Sequence, residues 1–298
     1  MAPATPHSEY KLSIKGKILA LGSKTHIMGI LNVTPDSFSD GGRYADTDLA
    51  LAHVREMIEH GADIIDIGGE STRPGADPVT EDEELRRTIP IIERLSKEVK
   101  TPLSIDTYKS SVARKALEAG ASIVNDISGL RFSPDMAKVV ADHNAAVVIM
   151  HIKGAPRDMQ TNPVYGDVIA EVIDYLAEGI EFALKAGVSR NKILIDPGIG
   201  FGKTLEHNLT ILNRLNEFRV LSCPLVLGTS RKRFIGAVLN IPGPEQRIFG
   251  TAATVALGIE RGAHIVRVHD VAQMTQVARM TDAVLKQSIK FQASNDKF

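Results

Sequence analysis

The chain has one cysteine, Cys223, among its 298 residues. An internal disulfide and a cysteine-based zinc site are both excluded, which fits a reducing compartment. Excess charge is missing as well: 35 Lys+Arg face 36 Asp+Glu, for a formal net charge of -1. No global field favours nucleic acid or an acidic membrane, so any anionic ligand must be held by a local cluster. Nor is there an uninterrupted apolar run of about 18 residues, or a basic-then-apolar leader ahead of Tyr10. The sequence reads as cytoplasmic, with neither a nucleic acid nor a membrane as partner.

What is present is an ordinary globular composition, 43% hydrophobic and 24% charged, which argues against disorder, a fibrous chain or a coiled coil. Eight short apolar runs recur, each followed by a stretch of helical periodicity. They are Ile27 to Leu31, Ile64 to Ile67, Leu103 to Ile105, Ile123 to Val124, Ala146 to Met150, Ile193 to Ile195, Leu225 to Leu227 and Ile265 to Val268. The helical stretches are Asp48 to His60, Thr80 to Lys97, Ser110 to Ala119, Pro134 to His143, Val168 to Ala186, Leu205 to Phe218, Glu245 to Glu260 and Val271 to Lys286. Divided by eight, the 242 residues from Ile27 to Val268 give about 30 per strand-helix unit, the usual size of a βαβ block. The runs read as apolar throughout, as parallel strands covered on both faces do.

Such a sheet either closes as a barrel or stays open and doubly wound, and no G-x-G-x-x-G turn follows the first strand to favour the open form. The expectation is an α/β fold, a (β/α)8 TIM barrel over residues 23–298. Residues 1–22 form an extension in which Tyr10 to Gly22 reads as a short hairpin covering the closed end.

In a parallel barrel every strand ends on the same face, so the residues just after the strands are neighbours. Those positions hold Asn32, Asp66 to Arg73, Asp106, Asn125 with Asp126, His151, Asp196, Ser230 to Lys232, and Arg267 with His269. Each has a plain structural reading, because Asp or Asn after a strand often only caps a helix or a turn. Asp106 and Asp126 are the strongest candidates for that reading. Eight polar exits in succession are harder to assign to turns.

Two chemistries are mixed in this set. Asp106, Asn125 and Asp196 offer acceptors that need donors if buried, which points to a flat heterocycle rich in N–H groups, guanine-like or pterin-like. Arg73, Lys203, Lys232, Arg267 and His269 gather cations on a protein without net positive charge, which points to phosphate. The glycine-rich segment Asp196 to Thr204 is not a P-loop, since Pro197 stands where that motif requires its first glycine. Two connections, Asn32 to Asp46 and Gly68 to Val79, are long for βα loops, which usually take about 2 to 6 residues. They read as lids over the mouth.

The segments MGILNVTPDSFSDGG, DIGGESTRPG, SIDT, VNDISG, MHIKGAPRDMQ, DPGIGFGK, GTSRKRFIG and RVHDV closely resemble the dihydropteroate synthases, from about Ile27 to Val271. The first two loop motifs together are highly specific. The resemblance implies a (β/α)8 enzyme that condenses a dihydropterin pyrophosphate with p-aminobenzoate.

It implies Asp106, Asn125, Asp196 and Lys232 as pterin contacts, Met150 and Phe201 beside the ring, and Lys203 at the border of the pocket. Asn32 matches the residue that holds Mg2+ with the pyrophosphate. Arg267, His269, Thr72 and Arg73 match the pyrophosphate site, and Ser230, Lys232, Phe38 and Pro74 match the p-aminobenzoate site. Among these, Asp106, Lys232, Arg267 and His269 are the expected catalytic groups, and the implied assembly is a homodimer through the last helices. The sequence departs from the family pattern at Arg233 and at Ile152 with Lys153. A corrinoid methyltransferase barrel shares Asp106, Asn125 and Asp196 but not the first loop or the Arg267 to His269 pair. An inactive ligand-binding barrel would be expected to lose the lid or anion residues, and both sets are present. A Schiff-base aldolase could use Lys232, but paired cations there fit phosphate at least as well.

Overall fold

The computed structural model describes residues 9–14, 17–33, 42–72 and 75–295. It opens with an antiparallel hairpin, β1 (Tyr10–Ile14) against β2 (Lys17–Leu21), with Leu12 opposite Leu19. Eight further strands follow: β3 (His26–Asn32), β4 (Ile64–Gly68), β5 (Leu103–Asp106), β6 (Ile123–Asp126), β7 (Ala146–Met150), β8 (Ile193–Asp196), β9 (Val226–Leu227) and β10 (Ile265–Val268). Every pairing among them is parallel, in the order β8-β7-β6-β5-β4-β3-β10-β9. A parallel bridge from Ile195 to Leu225 joins the two ends of that order. The chain is a (β/α)8 barrel.

The helices between the strands are α1 (Gly42–Glu59), α2 (Glu81–Glu98), α3 (Ser110–Ala119), α4 (Met136–Asp142), α5 (Val168–Lys185), α6 (Leu205–Asn213), α7 (Arg233–Leu239), α8 (Ile248–Glu260) and α9 (Val271–Asn295). Helix α1 begins at Gly42, inside the expected first loop, and α9 runs on to Asn295; α6, α7 and α8 depart in kind. The stretch from Leu205 breaks after Asn213 into a 3-10 segment, Leu215–Leu221, and α8 is preceded by a 3-10 turn at Pro244–Arg247, where proline sits at the start as its missing N–H allows. Helix α7, only 7 residues long, lies inside what reads as a loop, too short for its periodicity to stand out. Thr80 caps α2 by accepting from the Glu83 backbone N–H at 3.4 Å.

Two apolar cores result. The larger fills the space between strands and helices, with Ile65, Ile67, Ile105, Val124, Val147, Ile149, Ile195 and Val266 facing the helices. The smaller lies inside the barrel, where Met28, Ile64, Ile123, Ala146, Val148, Leu194, Val226 and Ile265 pack against Leu12, Ile14 and Leu21 of the hairpin. The hairpin thus seals the strands' N-terminal end with apolar side chains, leaving the opposite end for polar groups.

Candidate functional site

Successive strand residues point to opposite faces, so the inner core fixes which polar residues face the mouth. Asp66, Asn125, Met150, Asp196 and Arg267 each stand two residues beyond an inner-core residue: Ile64, Ile123, Val148, Leu194 and Ile265. Asn32 stands four beyond Met28, and Asp106 pairs with Gly68 and Asn125 in the sheet register. The strands are therefore not apolar throughout: the inward positions turn polar as each approaches its C-terminal end.

Arg267 ties this set together. Its Nε donates to Asp66 Oδ2 and its Nη2 to Asp106 Oδ2, both at 2.6 Å, while Asn125 Nδ2 donates to Asp66 Oδ2 at 3.0 Å. Asp106 is thus no cap or turn residue. Burial raises its carboxyl to about 7; the Arg267 charge opposes that rise and the nearby Asp66 carboxylate adds to it. Burial acts against the Arg267 charge, but Asp66 and Asp106 hold its affinity for the proton above the usual range. Asp66 Oδ1 and Asp106 Oδ1 are buried with no hydrogen-bond partner among the described residues, and Asp106, next to Asn125 in the sheet, is the one that offers an acceptor to a donor-bearing ligand.

Asp196, Phe201 and Lys232 form the opposite wall. Asp196 Oδ1 accepts from the Gly198 N–H at 2.7 Å, and burial raises its carboxyl against the pull of Lys232, Arg267 and Lys203. Lys232 donates to the Ile199 carbonyl, and its Nζ lies 4.2 Å from the centre of the Phe201 ring. Burial lowers the Lys232 amine to about 8, with the Asp196 charge working the other way. The turn between them presses on the end of β7: Gly198 has φ +68°, and an added Cβ would meet the His151 carbonyl oxygen at 1.9 Å. Glycine is required there. The walls approach one another at Gly228, where a Cβ would lie 3.9 Å from both Asp196 Oδ2 and Arg267 Cβ.

Ser230 Oγ accepts from the His269 backbone N–H at 3.1 Å and lies 3.0 Å from its Nδ1, so these two residues after β9 and β10 are locked together. The amide oxygen of Asn32 and the carboxylate of Asp106 flank Gly68, each within 3.9 Å of where its Cβ would be. Thr72 is partly exposed in the second loop, and Phe38, Arg73 and Pro74 lie outside the described residues. The base of that loop is held by Glu70, which accepts from the Val79 N–H at 3.2 Å, from Tyr108 Oη at 2.6 Å and from Lys109.

Two residues of the polar set spend their hydrogen bonds within the protein. Lys203 is near enough to Lys232 and Asp196 for their charges to act on it, but its Nζ is buried 2.8 Å from His151 Nδ1 and donates to the Phe201 carbonyl at 3.0 Å. Burial and the neighbouring Lys232 charge push the Lys203 amine well down, and burial with the Lys203 charge lowers His151 to about 2. Asp126 accepts from Ser128 N and Oγ and from Leu130 N, and so organises the turn after β6.

The model of the pterin binding enzyme family matches residues 28–269, the span that carries this whole inward set. The dihydropteroate synthase of Bacillus subtilis is 52% identical over 285 residues, covering 96% of this chain and 97% of that protein. This chain belongs to the dihydropteroate synthase family. A solved dihydropteroate synthase from Xanthomonas albilineans, with 4-aminobenzoic acid, superposes with a TM-score of 0.87 at 46% identity, covering 93% of this chain and 98% of that one. Another structure from the same organism, in complex with 7,8-dihydropteroate, has a TM-score of 0.83 at 43% identity and covers 92% and 98%. The chain is accordingly a transferase.

Asp66 stands among the polar strand exits of the sequence, but the resemblance gives it no role, whereas the fold places it against Arg267 and Asn125. Its signal is present in the sequence, as one carboxylate interrupting the apolar run Ile64-Ile65-Asp66-Ile67 at an inward position. The same parity separates Asn125, facing the mouth, from Asp126, which does not.

Proposed function

We propose that this chain condenses 6-hydroxymethyl-7,8-dihydropterin pyrophosphate with p-aminobenzoate, giving 7,8-dihydropteroate and pyrophosphate. The observation that carries this reading is the junction of acceptors and cation at one mouth: Arg267 bonded to Asp66 and Asp106, with Asn125 on the same carboxylate. The pterin's amino and ring N–H donors satisfy Asp106, Asn125 and Asp196, with Met150 and Phe201 against its faces. Arg267 and His269 receive the diphosphate, together with Thr72 and Arg73. Ser230, Lys232, Phe38 and Pro74 seat p-aminobenzoate. Lys203 acts from beneath, holding the Phe201 carbonyl.

The C–O bond between the exocyclic methylene and the diphosphate breaks first, in an SN1-like step, because the conjugated ring spreads the positive charge that remains. Arg267 and His269 take up the negative charge of the leaving group, and the Asp106 carboxylate faces the pterin cation. The arylamine nitrogen then forms the C–N bond and loses one proton. No strong base is needed, since an arylamine is nucleophilic while neutral.

Mg2+ fits the donors present. Among the described residues no cluster of three His, Cys, Asp or Glu exists to cage an ion. A substrate-borne Mg2+ needs few protein ligands, because it keeps waters and phosphate oxygens, and the Asn32 amide oxygen at the mouth is a suitable one. When bound it neutralises part of the diphosphate charge.

The same reading treats residues 23–298 as one catalytic domain with residues 1–22 as an extension. Phe249, Val238, Met280 and Val284 leave apolar surface exposed on α7, α8 and α9, Phe249 by 85%, which supports a homodimer through these helices. No described helix is long and apolar enough to cross a membrane, in keeping with a cytoplasmic enzyme.

Pyrophosphate release measured with the pterin ester is expected to require both p-aminobenzoate and Mg2+. Release at an equal rate without p-aminobenzoate contradicts the transfer.

A further inference from the structure

Asp66 lies against the Arg267 guanidinium, completely buried and central in β4, with Ile65 and Ile67 on either side facing the helices. One oxygen, Oδ2, accepts from both Arg267 Nε and Asn125 Nδ2, and the other is buried without a hydrogen-bond partner among the described residues. Stability does not account for such a residue. Desolvating two charges offsets most of what their attraction returns, and a half-satisfied carboxylate adds a further penalty. An apolar residue would pack this position at lower cost, so the carboxylate is retained for what it holds.

We propose that Asp66 is a positioning residue for the diphosphate end of the site: through Oδ2 it fixes Arg267 at Nε and Asn125 at its amide, setting the guanidinium and the pterin-facing amide in one frame. The inference rests on the reading that Arg267 receives the diphosphate.

The geometry gives Asp66 a task Asp106 does not perform. Asp106 takes Nη2, whereas Asp66 takes Nε, the nitrogen nearest the backbone, and together they define the plane of the guanidinium. Nη1 lies outside both hydrogen bonds and keeps its two N–H groups for an anion. A free arginine side chain samples many rotamers, and ordering it during binding weakens affinity. Held at two nitrogens beforehand, Arg267 meets the leaving group already aimed, as preorganised charge stabilisation requires.

Asp66→Asn isolates this role, because an amide oxygen in the place of Oδ2 can still accept from Asn125 and from Nε but carries no charge to hold the guanidinium as an ion pair. Calorimetric binding to the full chain is measured with inorganic pyrophosphate plus Mg2+ and, separately, with 6-hydroxymethylpterin, which has no phosphate. Asp66→Asn is expected to weaken pyrophosphate at least tenfold and hydroxymethylpterin less than threefold. Placed on Arg267→Ala, it is expected to add less than a twofold loss, since its effect passes through the missing guanidinium. Asp66→Ser, which keeps a hydroxyl acceptor, gives the same split and serves if the asparagine variant does not fold.

A pyrophosphate affinity within threefold of wild type overturns the inference. So do equal losses for the two ligands, or an undiminished loss on the Arg267→Ala background. If Arg267→Ala alone leaves pyrophosphate binding unchanged, the diphosphate reading fails with it, and that outcome is distinct from a failure of Asp66 alone.

Discussion

Asp106→Ala is expected to lower kcat by about a hundredfold, equivalent to about 2.7 kcal/mol of barrier. The carboxylate is one of two that grip Arg267, and its other oxygen is buried with no hydrogen-bond partner among the described residues. Steady-state kinetics on the purified variant checks this. Turnover within about tenfold of wild type, about 1.4 kcal/mol, removes Asp106 from its assigned role.

The pH profile gives the same residue a second signature. Asp106 is held at about 7 and must be ionised to face a cation, so activity falls as pH drops through about 7. Lys232 is lowered to about 8 by burial and must keep its proton to hold a positive charge in the field of Asp196, so activity also falls as pH rises through about 8. A narrow bell follows, and Asp106→Asn is expected to remove its acidic limb. Stability follows the opposite sign to catalysis. An acid raised from 3.8 to about 7 on folding binds its proton more tightly in the native state, so stability is lost between those values as pH rises. Asp106→Asn, which has no charge to bury, should therefore gain stability relative to wild type at pH 8 and gain little at pH 4.

Arg267→Ala is the second large effect. It should weaken the pyrophosphate-bearing pterin by about a hundredfold while leaving a phosphate-free pterin within about threefold, because charge-assisted bonds to phosphate are lost and ring contacts are kept. Equal losses for the two ligands contradict an anion site at Arg267. The substitution also leaves Asp66 and Asp106 without their shared cation, and breaking a buried pair from one side costs about 3 to 5 kcal/mol. That cost should shrink as pH falls, because Arg267 is what opposes the rise of Asp106; without it the carboxyl is protonated at still higher pH. Thermal unfolding at pH 6 and pH 8 separates this structural loss from the loss of binding.

Most of the barrel could be read from the sequence because each strand is built on a short, mainly apolar run with polar residues only at or near its C-terminal end. The eight runs from Ile27 to Val268 correspond to β3 through β10. Helix α7 could not be read, since 7 residues after Lys232 are too few for a helical period to assert itself. Helix α8 was legible in its body but not at its start, where Pro244 imposes a tighter turn.

Within the site, the residue types at the strand ends were plain, but their directions were not. Asn125 and Asp126 are adjacent and chemically alike; only the alternation relative to Ile123 puts one at the mouth and the other in a turn. Lys203 resembles an anion ligand in a glycine-rich segment, yet the folded turn directs its amine onto His151, a contact across 52 positions of chain. Asp66 stood among the strand exits without a role, although one carboxylate between Ile65 and Ile67 is the trace that a buried acid leaves in a strand.

The most direct measurement is a crystal structure of the chain with the dihydropterin pyrophosphate and Mg2+. The account places the bicyclic ring between Asp106, Asn125 and Asp196, with the diphosphate on Arg267 and His269 at the strands' C-terminal end. A ligand bound at the hairpin end, or a diphosphate lying away from Arg267, contradicts it.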